Sequence, residues 1–167
     1  TPLYSSAASD VYKRQHFVTP AMQHGIDTEP AAKAAYESRE SIFVSECPFV
    51  PHPSIEHFGA SPDGRRSDNP RIGVEVKCPT TAKYLTWQLA GVVPEEHKPQ
   101  MIAQCLCAGF DAVDFVAYDP RLPEALRLMV VRYTPTQEER DAVETAAKEL
   151  LAEVDAMFEQ LTTRVAA

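Results

Sequence analysis

The sequence predicts a mixed α/β domain, and three observations carry that reading. The hexapeptide IGVEVK, Ile72 to Lys77, alternates strictly and reads as a strand. Two further apolar runs, DFVAY from Asp114 and LRLMVVRY from Leu126, read as strands joined by the Pro-rich turn DPRLPEA. Helix-forming stretches precede, separate and follow these strands, and the last is long and amphipathic. A chain of 167 residues suits one domain with one full-sized core. Its 44% apolar and 24% charged content is ordinary for a soluble globular protein.

Taken in order, the first 15 residues, TPLYSSAASDVYKRQ, are Ser/Ala-rich and show no period. DVYKRQ reads as a translated sequencing adapter, so residues 1–15 are expected to be non-native or a disordered tail and are set aside from fold reasoning. The native sequence is expected to start near His16, with its true N-terminus missing, and residues 16–167 form the single domain. Residues 20–40 are rich in Ala and helix formers, which predicts a helix. Either Thr28 caps it with Pro30 in the first turn, or Pro30 kinks a longer helix that already holds Gly25. SIFVS, Ser41 to Ser45, reads as a short strand. CPFVPHPSIEHFGASPDG is Pro-broken, a loop with a second short strand ending near Ser61, and RRSDNPR is a turn. A short helix is expected from Thr80 to Trp87 and another from Pro94 to Ala108. The last helix runs from about Thr136 to Thr163. Its Val143, Ala147, Leu150, Leu151, Val154, Met157, Phe158 and Leu161 keep i, i+3, i+4 spacing. That stripe is expected to pack on the core, with a partner interface as the alternative.

Charge and composition exclude some classes. The net charge is −8, and the segment from Thr134 onward carries eight acids and three bases. The acidity gives a nucleic-acid partner no support, although basic clusters such as Arg65, Arg66 and Arg71 sit within the rest. No apolar run approaches the ~20 residues of a membrane span and no signal peptide is visible, which predicts a cytoplasmic protein without membrane contact. Cys47, Cys78, Cys105 and Cys107 form no CxxC pair, so they read as reduced, mostly buried thiols and not as a zinc site.

The stretch SPDGRRSDNPRIGVEVKCP holds the chemistry. Residues two apart on a strand share a face, so Glu75 and Lys77 project together while Val74 and Val76 face the core. Asp63 ends the preceding strand, and a hairpin would place it beside Glu75. Two carboxylates a few ångströms apart repel unless a cation neutralises them. A hard divalent ion does so with carboxylate oxygens and a backbone carbonyl, here that of Val76. Lys77 then stands at the edge of the metal site, where it orients or helps deprotonate an attacking water and stabilises pentavalent phosphorus. On spacing alone, a surface hairpin with a salt bridge worth ~0–1 kcal/mol remains the alternative. Glu29 on the upstream helix and Gln100 on a later one add weaker signals.

Together these residues resemble the bacteriophage lambda exonuclease family, the YqaJ-like viral recombinase nucleases of the PD-(D/E)xK superfamily. The match runs through GIDTEPAA with Glu29, GASPDG with Asp63, GVEVKCP with Glu75 and Lys77, PEEHKPQMIAQ with Gln100, and YDPRLP from Tyr118. It spans roughly His16 to Tyr133, with a compatible C-terminal helix. The resemblance implies a restriction-endonuclease-like core, a central mixed sheet flanked by helices. It implies magnesium or manganese on Asp63, Glu75 and the Val76 carbonyl, with Lys77 as the catalytic lysine. Glu29 would support the site indirectly, and Gln100 would place the water or Lys77. The implied activity is digestion of the 5′ strand of linear double-stranded DNA in phage-type recombination, leaving 3′ strands for a phage annealing protein. The setting would be the cytoplasm of a bacterial host, with a phage or prophage gene, and some members assemble as toroidal homotrimers. Two departures stand out. The family's N-terminal element with an arginine and a T-A-S-like stretch, which helps bind the 5′ phosphate, has no match, and Ile102 replaces a polar residue common in relatives. The rival readings are a PD-(D/E)xK endonuclease or repair nuclease, and a truncated, inactive DNA-binding fragment.

Other residues have plainer expectations. His24, His52, His57 and His97 read as loop or surface histidines, since magnesium prefers oxygen, with His52 and His57 as alternative phosphate contacts. Arg65, Arg66 and Arg71 read as a solvated turn or a phosphate-contacting loop. Tyr84 and Trp87, with Lys83 nearby, read as core, with contact to DNA as the alternative, and Arg121 reads as a pin for the YDPRLP turn through a carboxylate or backbone carbonyls.

Overall fold

The computed structural model describes residues 19–165, so the expectation for residues 1–15 lies outside the described residues. Helix α1 spans Pro20–Glu40. Thr19 caps it, its hydroxyl accepting from the Met22 N–H at 3.2 Å, and Pro20 stands in its first turn. The Thr28 cap is therefore not used, and the helix runs through Pro30. The carbonyl that loses its helical partner belongs to Ile26, an exposed residue, where solvent rather than buried protein is the neighbour. Ser41 ends the helix at φ 56°, its N–H donating to the Glu37 carbonyl.

Among the described residues seven strands follow in two sheets. Strands β1 (Val44–Ser45), β4 (Gly64–Arg66), β5 (Ile72–Lys77), β6 (Ala112–Tyr118) and β7 (Leu128–Tyr133) form a mixed sheet in the order β1-β4-β5-β6-β7. Only β5 and β6 are parallel. The crossover between them carries helix α2 (Thr81–Ala90), a 3-10 turn (Glu95–His97) and helix α3 (Lys98–Ala108). Strands β2 (Val50–Pro51) and β3 (Gly59–Ala60) form a separate small hairpin. Helix α4, Gln137–Val165, closes the described chain. No helix among the described residues is long and apolar enough to cross a membrane.

Strand periodicity divides the core into two layers. On one face Val74 and Val76 of β5 and Val116 and Tyr118 of β6 meet Ala32 and Tyr36 of α1. On the other, Val113, Phe115 and Ala117 of β6 meet Tyr84 and Trp87 of α2 and Met101 and Cys105 of α3. Both central strands are buried on both sides, as a parallel pair between helices requires. Gly73 is the one residue β5 can place against Phe110, because an added Cβ would meet that ring at 2.5 Å.

Three expectations change here. Gly64–Arg66 is a strand rather than part of a turn, and Arg66 is buried instead of solvated. Its guanidinium donates to Asp68, Asp114 and Tyr36, and Arg132 forks onto Asp114 from β7. This network ties α1, β4, β6 and β7 together around one buried aspartate. Second, α4 packs on α3 only through its first half. Leu150, Val154, Met157, Phe158 and Leu161 are exposed, Phe158 at 69%. Third, His52 is buried, accepting at Nδ1 from the Ser54 and Ile55 N–H groups, with Glu144 of α4 at 3.4 Å from Nε2.

Candidate active site

Strand β5 delivers Glu75 and Lys77 to the face that carries α2 and α3. In the β5–β6 register Glu75 stands beside Phe115, within that layer. Glu75 is 0% exposed, so the surface-hairpin alternative fails on burial. The antiparallel β4–β5 register pairs Gly64 with Val74 and Arg65 with Gly73, and its next step sets Asp63 across from Glu75. Asp63 follows β3 and immediately precedes β4. Its Oδ2 accepts from the Val76 N–H at 2.7 Å, which fixes the carboxylate against β5.

Lys77 Nζ lies 2.5 Å from Glu75 Oε1 and 3.3 Å from Gln100 Oε1. The approach to Glu75 is close but not aligned as a hydrogen bond, and Oε1 remains a buried oxygen without a directed donor. Glu75 Oε2 is held by Gln104, whose Nε2 donates at 2.5 Å. Glu29 forms an i,i+4 pair with Lys33 at 2.7 Å, and its charge reaches Asp63. Glu29, Asp63, Glu75, Val76, Lys77 and Gln100 all line one cleft of about 630 Å³.

Gln104 is the residue the sequence reading passed over. It is fully buried and touches the central carboxylate, and its own Oε1 has no partner. The signal was present in QMIAQ, because residues four apart share a helix face, so Gln100 and Gln104 both look toward β5. His97 was expected at the surface. It lies in the cleft wall instead, stacked on Phe115 and edge-on to Trp87. Burial, then the charges of Lys77 and Lys83, hold its imidazole below the usual histidine range. Tyr84 and Trp87 are core, as expected. Arg121 donates to buried Asp119 and to the Pro79 carbonyl, pinning the turn after β6 to the end of β5. The four cysteines are free thiols.

Asp63 and Glu75 act on each other as like charges in a part-buried setting. Burial, and then the charge of Glu75, push the Asp63 carboxyl up to about 6. Among the described residues no three His, Cys, Asp or Glu side chains converge as a cluster able to hold a metal by themselves. The two acids, an undirected carboxylate oxygen and the oxygen-only chemistry of the donors fit a hard divalent ion that takes its remaining ligands from backbone and water.

The chain matches the model of the YqaJ-like viral recombinase domain over residues 4–111. Its structure superimposes on an alkaline exonuclease (LHK-Exo) from Laribacter hongkongensis with TM-score 0.85 and 33% identity, covering 95% of this chain and 80% of that one. The same protein in complex with dAMP gives TM-score 0.86 at 33% identity and the same coverage. A phage-related exonuclease from Haemophilus somnus 129PT gives TM-score 0.60 at 14% identity, covering 91% and 80%, a likeness of fold alone. No curated protein matches the chain.

Proposed function

The chain belongs to the YqaJ-like viral recombinase family, and from that premise we propose that it is a metal-dependent exonuclease acting on linear double-stranded DNA, digesting the 5′ strand. The observation that carries this reading is the placement of Lys77 between Glu75 and Gln100, with Asp63 across the strand pair. The likeness to an alkaline exonuclease over 95% of the chain supports it.

In this reading Asp63, Glu75 and the Val76 carbonyl hold a magnesium or manganese ion, and Glu29 supports it indirectly. Such an ion offsets the paired negative charges, polarises a phosphoryl oxygen and lowers the pKa of water. The protein's own groups do the rest. Gln104 fixes Glu75 through Oε2 and leaves Oε1 facing Lys77. Gln100 restrains the Lys77 ammonium at the cleft edge. Lys77 orients the attacking water and offsets the charge that builds on phosphorus during in-line displacement. Contact with the duplex is through its backbone, so binding is salt-sensitive and nearly independent of sequence. The motif resemblance extends the reading to the cytoplasm of a bacterial host and to a phage or prophage gene. It also extends it to a phage annealing protein that takes the 3′ strand and to a homotrimer around the duplex.

The test is digestion of linear 5′-phosphorylated duplex with magnesium, beside closed circular DNA and a Lys77→Ala control. Loss of the linear 5′ strand alone, absent in the control, is expected. Cutting of the circle would replace the exonuclease with an endonuclease, and equal loss with Lys77→Ala would remove Lys77 from the chemistry.

A further inference from the structure

A second cleft, of about 480 Å³, opens between the last turns of α1, the end of β6 and the turn that leads into β7. Its walls carry Ser38 and Arg39 from α1, Tyr118 from β6, and Glu124 and Arg127 from the turn. Two arginines from separate elements meet here in a protein of net charge −8. Arg127 makes no ion pair among the described residues. Its Nε donates to the Leu122 carbonyl at 2.6 Å, which fixes the plane of the guanidinium. Arg39 has only Glu40, at 3.5 Å, and Glu40 also pairs with Arg66. An arginine in the last turn steadies its own helix whatever else it does, so Arg39 alone would carry little. Arg127 is not on that helix, and the fold still turns both into one cleft.

We propose that this cleft binds a backbone phosphodiester of the DNA duplex, away from the scissile bond. The proposal rests on the exonuclease reading. With Glu40 beside Arg39 and Glu124 in the wall, the acids offset one another's share of the two guanidiniums, and Arg127, with no ion pair among the described residues, is the cation left to meet the single charge of a phosphodiester. Guanidinium forks and hydroxyls are the groups that recognise such an oxyanion. Helix α1 links the two clefts, with Glu29 in the first and Ser38 in the second, nine residues apart. At 1.5 Å per residue and 3.6 residues per turn they stand roughly 14 Å apart along the helix axis and about half a turn apart around it, so a duplex reaching both clefts passes across the helix. The cleft would hold the duplex in register while the first cleft works on its end.

The experiment measures binding of linear duplex against salt in the Lys77→Ala protein with magnesium, where strand loss is suppressed. The Arg39→Gln/Arg127→Gln pair is compared with its parent. One lost phosphate contact makes the slope of log K against log salt less negative by about 0.9. The Arg39→Gln variant, changed only at an exposed turn, is measured beside it in case the Arg127 change disturbs the fold. A slope reduced by about 0.9 at an unchanged melting temperature supports the proposal. An unchanged slope in both folded variants overturns it. Calorimetry with inorganic phosphate separates the sources of the anion. Phosphate binding lost in the variant while the DNA slope stays constant makes this a free-phosphate site and also overturns it. A parent that fails to bind linear duplex at all refutes the exonuclease reading itself, a different result from a parent that binds with a slope the variants share.

Discussion

Replacing Asp63 with asparagine is expected to stabilise the metal-free protein at neutral pH while abolishing activity. The Asp63 carboxyl is pushed from 3.8 up to about 6, first by burial and then by Glu75. A raised folded-state value means the folded protein holds this proton more tightly than the unfolded chain does. The favourable contribution is fully present below pH 3.8 and is lost as pH rises to about 6. A shift of that size corresponds to about 3 kcal/mol at 1.36 kcal/mol per pKa unit. Asp63 is partly exposed to the cleft, and solvent screening reduces the figure to roughly 1–3 kcal/mol. Asparagine keeps an oxygen for the Val76 N–H and carries no charge against Glu75. In a chain of this size each kcal/mol moves Tm by about 2–4 °C. Thermal melts in EDTA should therefore place Asp63→Asn about 2–12 °C above the parent at pH 7.5 and level with it near pH 3.5. Magnesium should close the gap by stabilising the parent alone, by about 2.7 kcal/mol at a hundredfold excess over Kd. A variant that melts at or below its parent at pH 7.5, or that gains equally at both pH values, would refute the assignment of Asp63 to a repelling pair.

Other expectations follow from the same geometry. Gln104→Met removes the donor to Glu75 Oε2 and leaves a buried carboxylate oxygen unpaired, at a cost of about 1–3 kcal/mol in denaturant unfolding. Weaker manganese binding by calorimetry should accompany it, and unchanged binding would limit Gln104 to packing. Asp114→Ala removes the acceptor shared by Tyr36, Arg66 and Arg132, while Arg66 keeps Asp68 and Glu40 and Arg132 can turn to water, so it should cost about 1–3 kcal/mol, read as a drop in Tm without a change in the cleft's metal affinity. Met157→Gln with Phe158→Gln should leave monomer stability within about 0.5 kcal/mol, because both side chains are largely exposed among the described residues.

The long strands and helices were legible because their periods are long enough to read. IGVEVK, DFVAY and the two amphipathic helices around Tyr84 and Met101 each show their pattern over several residues. Strand β4 was not legible, because Gly64–Arg66 has no alternation to show and its buried arginine is held by acids distant in sequence. The extent of α1 was legible from residues 20–40, but the choice between a start at Thr28 and a longer helix through Pro30 was not, because Thr19–Pro20 and Thr28–Pro30 offer much the same start signal nine or ten residues apart. The grouping of Asp63, Glu75, Lys77, Glu29 and Gln100 was legible, since all five line one cleft. Gln104 and the buried state of Glu75 were not, since both depend on how α3 lies against β5. The stripe on α4 was read as core because periodicity reports that a helix has an apolar face, and says nothing of how far the surface beneath it extends.

That last feature sets a gradient along α4. Near Glu144 the helix is tied to the hairpin through His52 and rests on α3. Beyond Leu151 every side chain described is exposed, so among the described residues the second half is held only by hydrogen bonds within the helix itself. A helical stretch of about 14 residues is marginal in water without packing. Its amides should exchange with deuterium orders of magnitude faster than those of β5 and β6, through openings that leave the sheet intact. Far-UV ellipticity should accordingly fall with temperature well before the cooperative melt, and the slow-exchanging amides should end near the turn of α4 that faces His52.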